Sequence, residues 1–203
     1  MRVAVVISGG FDSAVLWHMI NKLYEGTGAT VKPYTVPKVD GSIRHANMML
    51  EAYSKQNGIK RIHTTRVGEV DQTNRYPDGA TLLEQLVSGL REILYADIPL
   101  ADVVYTGASP FPKHLVEKFK MIKAPRDRNF TRGTEWEDVC KQPFDAYTKE
   151  QIVKIAIDEG IIDDMKQVTH SCVTKDRGRC NTCFWCQERA WAFDYNAQLD
   201  GTN

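Results

Sequence analysis

Two groups of residues have the types and spacing that chemistry needs. The first is Ser8-Gly9-Gly10-Phe11-Asp12-Ser13. Tandem glycines open backbone conformations closed to other residues and let backbone N–H groups approach an anion closely. The two serines add hydroxyl donors, and Asp12 adds a carboxylate. The group lacks the Gly-Lys-Ser/Thr of a Walker loop and the third glycine of a dinucleotide fingerprint. It fits a phosphate chain; a strand-to-helix turn with no ligand is the bland alternative. The second group is Cys172, Cys180, Cys183 and Cys186, four of the five cysteines in the chain. Their spacing, Cys-x7-Cys-x2-Cys-x2-Cys, suits tetrahedral zinc. Four protein ligands leave no open position, so such a metal is structural. An iron–sulfur cluster and buried free thiols are the alternative readings. Cys140 stands outside the set, with a core cysteine as its default reading and a nucleophile as the other.

These groups need elements to position them. Residues 2–7 form a β-branched apolar run, as expected of a strand buried on both faces. Apolar residues at 15, 16, 19, 20 and 23 then keep a helical period. The glycine loop therefore lies at the carboxyl end of a strand and at the positive end of a helix, where phosphates bind. Further strands are expected over 30–36, 61–66 and 102–106, and helices over 45–56 and 82–94. Thr148-x-x-Gln151 is a capping box before apolar Ile152, Val153, Ala156 and Ile157, and Gly160 is a helix terminator. Strands alternating with helices predict an α/β fold with a mainly parallel sheet flanked by helices. Residues 108–147, with Pro110, Pro112, Pro125 and Pro143, read as irregular loops around an active site.

Composition sets limits. A chain of 203 residues, 42% hydrophobic, can bury one sizeable α/β core plus a small appendage. Lys+Arg and Asp+Glu are both 26, a net charge of zero, which argues against a chain whose main task is coating nucleic acid. No stable nucleic-acid binding is expected. Residues 113–132 are locally basic, with seven Lys/Arg against Glu117 and Asp127. A lid over phosphates, an RNA contact and a solvated loop are the readings open for them. The longest apolar run is far short of a membrane span. Gly9, Gly10 and Asp12 break the stretch after Arg2 too early for a signal peptide. A soluble, cytoplasmic protein without membrane association is expected.

The strand, the Ser-Gly-Gly-x-Asp-Ser loop and the helix together resemble the PP-loop of the ATP pyrophosphatase superfamily. With four cysteines near the C-terminus, the chain resembles the 7-cyano-7-deazaguanine synthases of queuosine biosynthesis. Gly41-Ser42-Ile43-Arg44-His45 is similar to their Tyr-Gly-Gln-Arg-His. Pro143 and Lys149-x-x-Ile152-Val153 are similar to their Pro…Lys-x-x-Ile-Val, and Thr169-His170-Ser171-Cys172 to Thr-x-Ser-Cys. Cys180-x-x-Cys183-x-x-Cys186-x-x-Arg189-x-x-Ala192-Phe193 is similar to their C-terminal signature. The chain departs from them in four places, one being a Cys172–Cys180 gap about one residue shorter than theirs. Asn181 stands where Gly is usual. Tyr76-Pro77-Asp78-Gly79-Ala80 lacks an Arg-Asn pair. Ala108-Ser109-Pro110-Phe111-Pro112 shortens the segment after the fourth strand.

The resemblance implies an adenine-nucleotide alpha hydrolase-like, Rossmann-like ATP-binding domain over 1–165 and a zinc-binding segment over 166–203 packed on it. It implies a ligase that converts 7-carboxy-7-deazaguanine and ammonia to the nitrile through adenylated intermediates, with ATP as co-substrate, Mg²⁺ and a structural Zn²⁺. ATP phosphates would be held by Ser8, Gly9, Gly10, Phe11, Asp12 and Ser13, with Asp12 tied to Mg–phosphate chemistry. Arg44 could pair with a phosphate or the substrate carboxylate; a solvated helix-start residue is its other reading. His45 has catalysis and helix-start packing as equal readings. Arg189 would brace the zinc segment against the main domain. The resemblance also implies a homodimer. Another PP-loop reaction (amide formation or sulfur transfer to tRNA) and a nucleotide-binding module without turnover are the rival functions.

Overall fold

A computed structural model describes residues 1–37, 41–68, 79–119, 131, 133–172 and 178–199, with backbone alone for 79–85 and 196–199. The elements run β1 (Arg2–Val6), α1 (Phe11–Tyr24), β2 (Thr30–Thr35), α2 (Ser42–Gln56), β3 (Thr65–Arg66) and α3 (Gly79–Tyr95). They continue with β4 (Val103–Thr106), α4 (Lys113–Lys118), β5 (Cys140–Lys141), α5 (Lys149–Asp158), α6 (Ile162–Val168) and α7 (Phe184–Leu199). The five strands form one sheet in the order β3-β2-β1-β4-β5. Every pairing is parallel, with Val3 opposite Val31 on one side and Val103 on the other. This is the doubly wound order, whose reversal point lies between β1 and β4.

Alternation along β1 splits its side chains between two cores. Val3, Val5 and Ile7 face a cluster with Leu16 and Trp17 of α1, Met49 and Leu50 of α2, Ile152 of α5, Met165 of α6 and Ala192 of α7. Ala4 faces the opposite cluster with Val104 of β4 and Leu90 and Ile93 of α3. Helices therefore cover both faces, as a buried parallel sheet requires. The expected boundary at 165/166 falls inside α6, and α7 contributes to the same core as β1.

Several expectations need correction. Of the strand expected over 61–66, Thr65 and Arg66 alone pair, at the sheet edge. Arg61 is instead an exposed partner of Glu51 at 2.8 Å. The 108–147 stretch contains α4 and a fifth strand, β5, in which buried Cys140 pairs with Val104. Two strand residues are too few to show a period. Helices α1 and α2 begin at Phe11 and Ser42, two and three residues ahead of the starts expected at Ser13 and His45. The capping box of α5 forms as expected, with the Thr148 amide donating to Gln151 Oε1 at 2.8 Å. Residues 76–78 and most of the basic 113–132 stretch lie outside the described residues.

Candidate functional site

The glycine loop joins the carboxyl end of β1 to α1 beside the reversal point. Gly9 has φ +77°, and a Cβ there would lie 2.5 Å from the His45 backbone. Its lack of a side chain thus serves both the left-handed turn and the approach of α2. Gly10 caps α1 in extended conformation, and its carbonyl accepts the first helical bond from the Ala14 amide at 3.2 Å. The amides of Phe11, Asp12 and Ser13 precede that bond, so the first turn offers donors to an anion. The serines brace the turn. Ser13 Oγ donates to the Gly10 carbonyl at 2.9 Å and accepts from the Ser8 amide at 3.2 Å, while Ser8 Oγ accepts from the Gly10 amide at 3.3 Å. Gly107, just past β4, lets that strand end abut α1: a Cβ there would sit 3.4 Å from the Ser13 amide nitrogen.

Asp12 projects from the first turn of α1 into a buried charge cluster. Its Oδ2 accepts from Lys149 Nζ and, at 3.1 Å, from Ser109 Oγ. Lys149 Nζ also lies 3.4 Å from Glu188 Oε2 on α7. Burial works to lower the Lys149 pKa, but Asp12 and Glu188 overcome it and leave the ammonium raised. Asp12 Oδ1 is buried with no hydrogen-bond partner among the described residues. A half-buried carboxylate with one oxygen unpaired, in the same helical turn as the loop's amide donors, fits a hydrated Mg²⁺ carried by nucleotide phosphates.

The other predicted residues fall in different places. Phe11 is 1% exposed and packs edge-on against Phe193 at 5.1 Å, so only its backbone faces the loop. Arg44 is exposed on α2. His45 is buried, and its ring stacks flat on His170 at 3.9 Å and 9°. Arg189 is 2% exposed. It donates to Thr169 Oγ1 at 2.8 Å and to the Lys166 carbonyl at 2.8 Å, and lies against the Phe11 and Phe193 rings. Burial first, and Arg179 second, pull its pKa down to about 10, which leaves it charged at neutral pH. It joins α7 to the segment before Cys172, as a brace would.

The Sγ atoms of Cys172, Cys180, Cys183 and Cys186 all lie within 4.8 Å of one another. Cys180 and Cys186 are 3.9 Å apart, and the Cys183 amide donates to Cys180 Sγ at 3.2 Å. Four thiolates at about 2.3 Å from one ion are separated by roughly 3.8 Å, so the donors fit a single tetrahedral metal. Asn181, in the Cys180–Cys183 turn, has φ +60°, the left-handed region that Gly reaches without strain and Asn tolerates. Cys140 is not in this group. Burial pushes its thiol up to about 12, which suits a core residue and not a nucleophile.

Lys149, Glu188, Ser109 and His170 join the site although their sequence setting does not mark them as site residues. Lys149 and His170 stand in segments that carry the family likeness, but their partners are 137 and 161 positions away, a separation no local pattern encodes. A groove of about 420 Å³ between α4 and α7, lined by His114, Leu115, Trp191 and Tyr195, contains none of these residues. No described helix is long and apolar enough to cross a membrane.

No family profile matches the chain, and no curated protein does. Among solved structures it is similar to the U34-tRNA thiolase NcsA from Methanococcus maripaludis, seen with its 4Fe-4S cluster. The identity is 12% and the TM-score 0.49, over 99% of this chain and 67% of that one. The α/β fold rests on the strand order and pairings described above.

Proposed function

We propose that the chain is a PP-loop enzyme that uses ATP to transfer AMP to a carboxylate oxygen, and that its substrate is 7-carboxy-7-deazaguanine with ammonia. The observation that carries the ATP half is Asp12: a half-buried carboxylate in the first turn of α1, with one oxygen buried and unpaired among the described residues. The substrate half rests on the family likeness. In the proposed reaction the carboxylate oxygen bonds to the α-phosphorus of ATP and pyrophosphate leaves. Ammonia then attacks the acyl carbon, AMP leaves, and the amide forms with loss of a proton. A second ATP adenylates the amide oxygen with release of pyrophosphate. Loss of AMP and protons from nitrogen gives the nitrile.

This chain's residues supply placement and charge. The loop amides would hold phosphate oxygens. Asp12 would hold Mg²⁺, which neutralises phosphate charge when bound. Lys149 Nζ pairs with Asp12 Oδ2 and fixes where that carboxylate sits. The four cysteines would hold one Zn²⁺ as a structural ion. Their mutual separation supports a single ion over a four-iron cluster, which attaches each thiolate to a different iron and spreads the sulfurs further.

The test is direct. Purified protein with Mg–ATP, ammonia and 7-carboxy-7-deazaguanine is expected to give the nitrile and two AMP per product by mass spectrometry. An amide endpoint with one AMP would remove the dehydration step. Absence of ATP consumption, beside a synthase active in the same assay, would remove the reading. Metal analysis is expected to find one zinc per chain and no iron.

A further inference from the structure

His170 touches both candidate sites at once. Its ring Nε2 lies 2.7 Å from the carbonyl oxygen of Cys172, one of the four thiolate residues. A carbonyl only accepts, so Nε2 carries the proton in this bond. Its own backbone amide donates to the Gly9 carbonyl at 2.9 Å. Its ring lies flat against that of His45 at 3.9 Å, and the His45 backbone is what closes on Gly9 from the α2 side. Gly9 is therefore held between His170 and His45, the left-handed residue on which the loop's shape depends.

The neighbours of His170 are fixed from the cysteine side as well. Arg189 lies three residues after Cys186. Its Nη1 donates to the Thr169 carbonyl at 3.1 Å and to Ser171 Oγ at 3.4 Å. The 169–172 segment is thus tied to α7 through a side chain and, when a metal is bound, through Cys172 and Cys186. Among the described residues none of the four cysteines is in a disulfide, so no such bond joins these parts. An ion joining Cys172 to Cys180, Cys183 and Cys186 sets where the Cys172 carbonyl sits, and so where the His170 ring and the Gly9 carbonyl sit.

We propose that His170 is a positioning residue that couples occupancy of the four-cysteine centre to the shape of the phosphate loop. The proposal rests on the reading of Ser8–Ser13 as an ATP site and of the cysteines as a metal site. Its energetic content is reciprocal: metal strengthens nucleotide binding, and nucleotide raises metal affinity by the same factor.

The experiment uses full-length protein, loaded with zinc or stripped by a chelator, titrated with Mg²⁺ and a non-hydrolysable ATP analogue by calorimetry. Stripping is expected to weaken nucleotide binding about tenfold or more, within the usual range of such couplings. Zinc transfer to a chromogenic chelator is expected to slow when the analogue is present. His170→Phe keeps a flat ring for His45 and the backbone bond to Gly9 but cannot donate to the Cys172 carbonyl. It is expected to bring both effects close to one-fold, and His170→Gln, which can still donate, to restore part of them. Equal affinity in loaded and stripped protein, or full coupling in His170→Phe, overturns the proposal while leaving the ATP site standing. Failure to bind nucleotide in either state overturns both. If stripping unfolds the chain, hydrogen exchange of residues 8–14 in zinc-loaded His170→Phe decides. Faster exchange than in the parent supports the coupling, and unchanged protection overturns it.

Discussion

Asp12 is the residue whose loss should separate chemistry from folding most clearly. Asp12→Asn removes the charge that pairs Lys149, while Glu188 remains 3.4 Å from that ammonium. The stability cost should therefore fall below the ~3–5 kcal/mol of breaking a buried pair outright. Turnover should fall by about 100-fold or more, as for other charge-stabilising groups at a reacting centre. Chemical denaturation and steady-state kinetics on the same preparation check both halves. Cys140 makes the opposite prediction. Cys140→Ala should leave turnover intact and cost about 1 kcal/mol of packing, and the native thiol should resist alkylation at pH 8. Its pKa is raised from 9.0 to about 12 by burial, chiefly, so the folded state favours the protonated thiol. That contribution is complete below pH 9 and is lost at about 1.4 kcal/mol per unit as pH climbs towards 12. Denaturation midpoints of parent and Cys140→Ala should accordingly meet within about one unit above pH 9 and then cross, the alanine variant being the more stable towards pH 12. Lys149, also raised, loses its contribution only above its ordinary 10.5, so neither group bends stability near neutral pH.

At the scale of elements, Gly9 and Gly26 share nearly the same φ, +77° and +71°. A Cβ at Gly26 meets nothing within 4 Å, whereas one at Gly9 strikes α2. Gly26→Ala should cost about 1 kcal/mol, the left-handed penalty alone. Gly9→Ala should cost at least ~2 kcal/mol more and lower the melting temperature by roughly 4–8 °C further. Paired thermal melts isolate the clash from the backbone preference. The same contrast explains what could be read in advance. Strand β1, the loop and α1 are written locally: a β-branched run, two glycines, then apolar residues every three or four positions. The Thr148–Gln151 cap of α5 is local too. Strand β5 has two residues and no period, and β3 is held by pairing with β2 alone. The ion cluster joins α1, α5, α7 and the 108–112 turn, so it exists only once the sheet has brought those elements together. The cysteine spacing disclosed the metal set, but not the way His170 ties it to Gly9.

At the scale of the molecule, α7 has two roles: it carries Cys186 into the metal set and Glu188, Arg189 and Ala192 into the main core. A third apolar cluster depends on its start, where Phe184 packs at 4.8 Å on Phe111, two residues from Ser109. Chelation of a bound zinc should therefore lower the melting temperature, not merely loosen the last helix, and re-addition of one equivalent should restore it. Scanning calorimetry with and without chelator checks this. An unchanged transition would mean that α7 holds its place without metal.

The position of β1 also has a consequence for how the chain is made. It is synthesised before both of its neighbours, yet Val3 lies opposite both Val31 and Val103. One edge is available to β2 within some thirty residues. The other waits about one hundred residues for β4, roughly 5–20 s at ordinary ribosomal speeds. For that interval the strand that ends in the phosphate loop presents an open apolar edge. Nascent chains stalled between β2 and β4 are where a holding chaperone would find this protein.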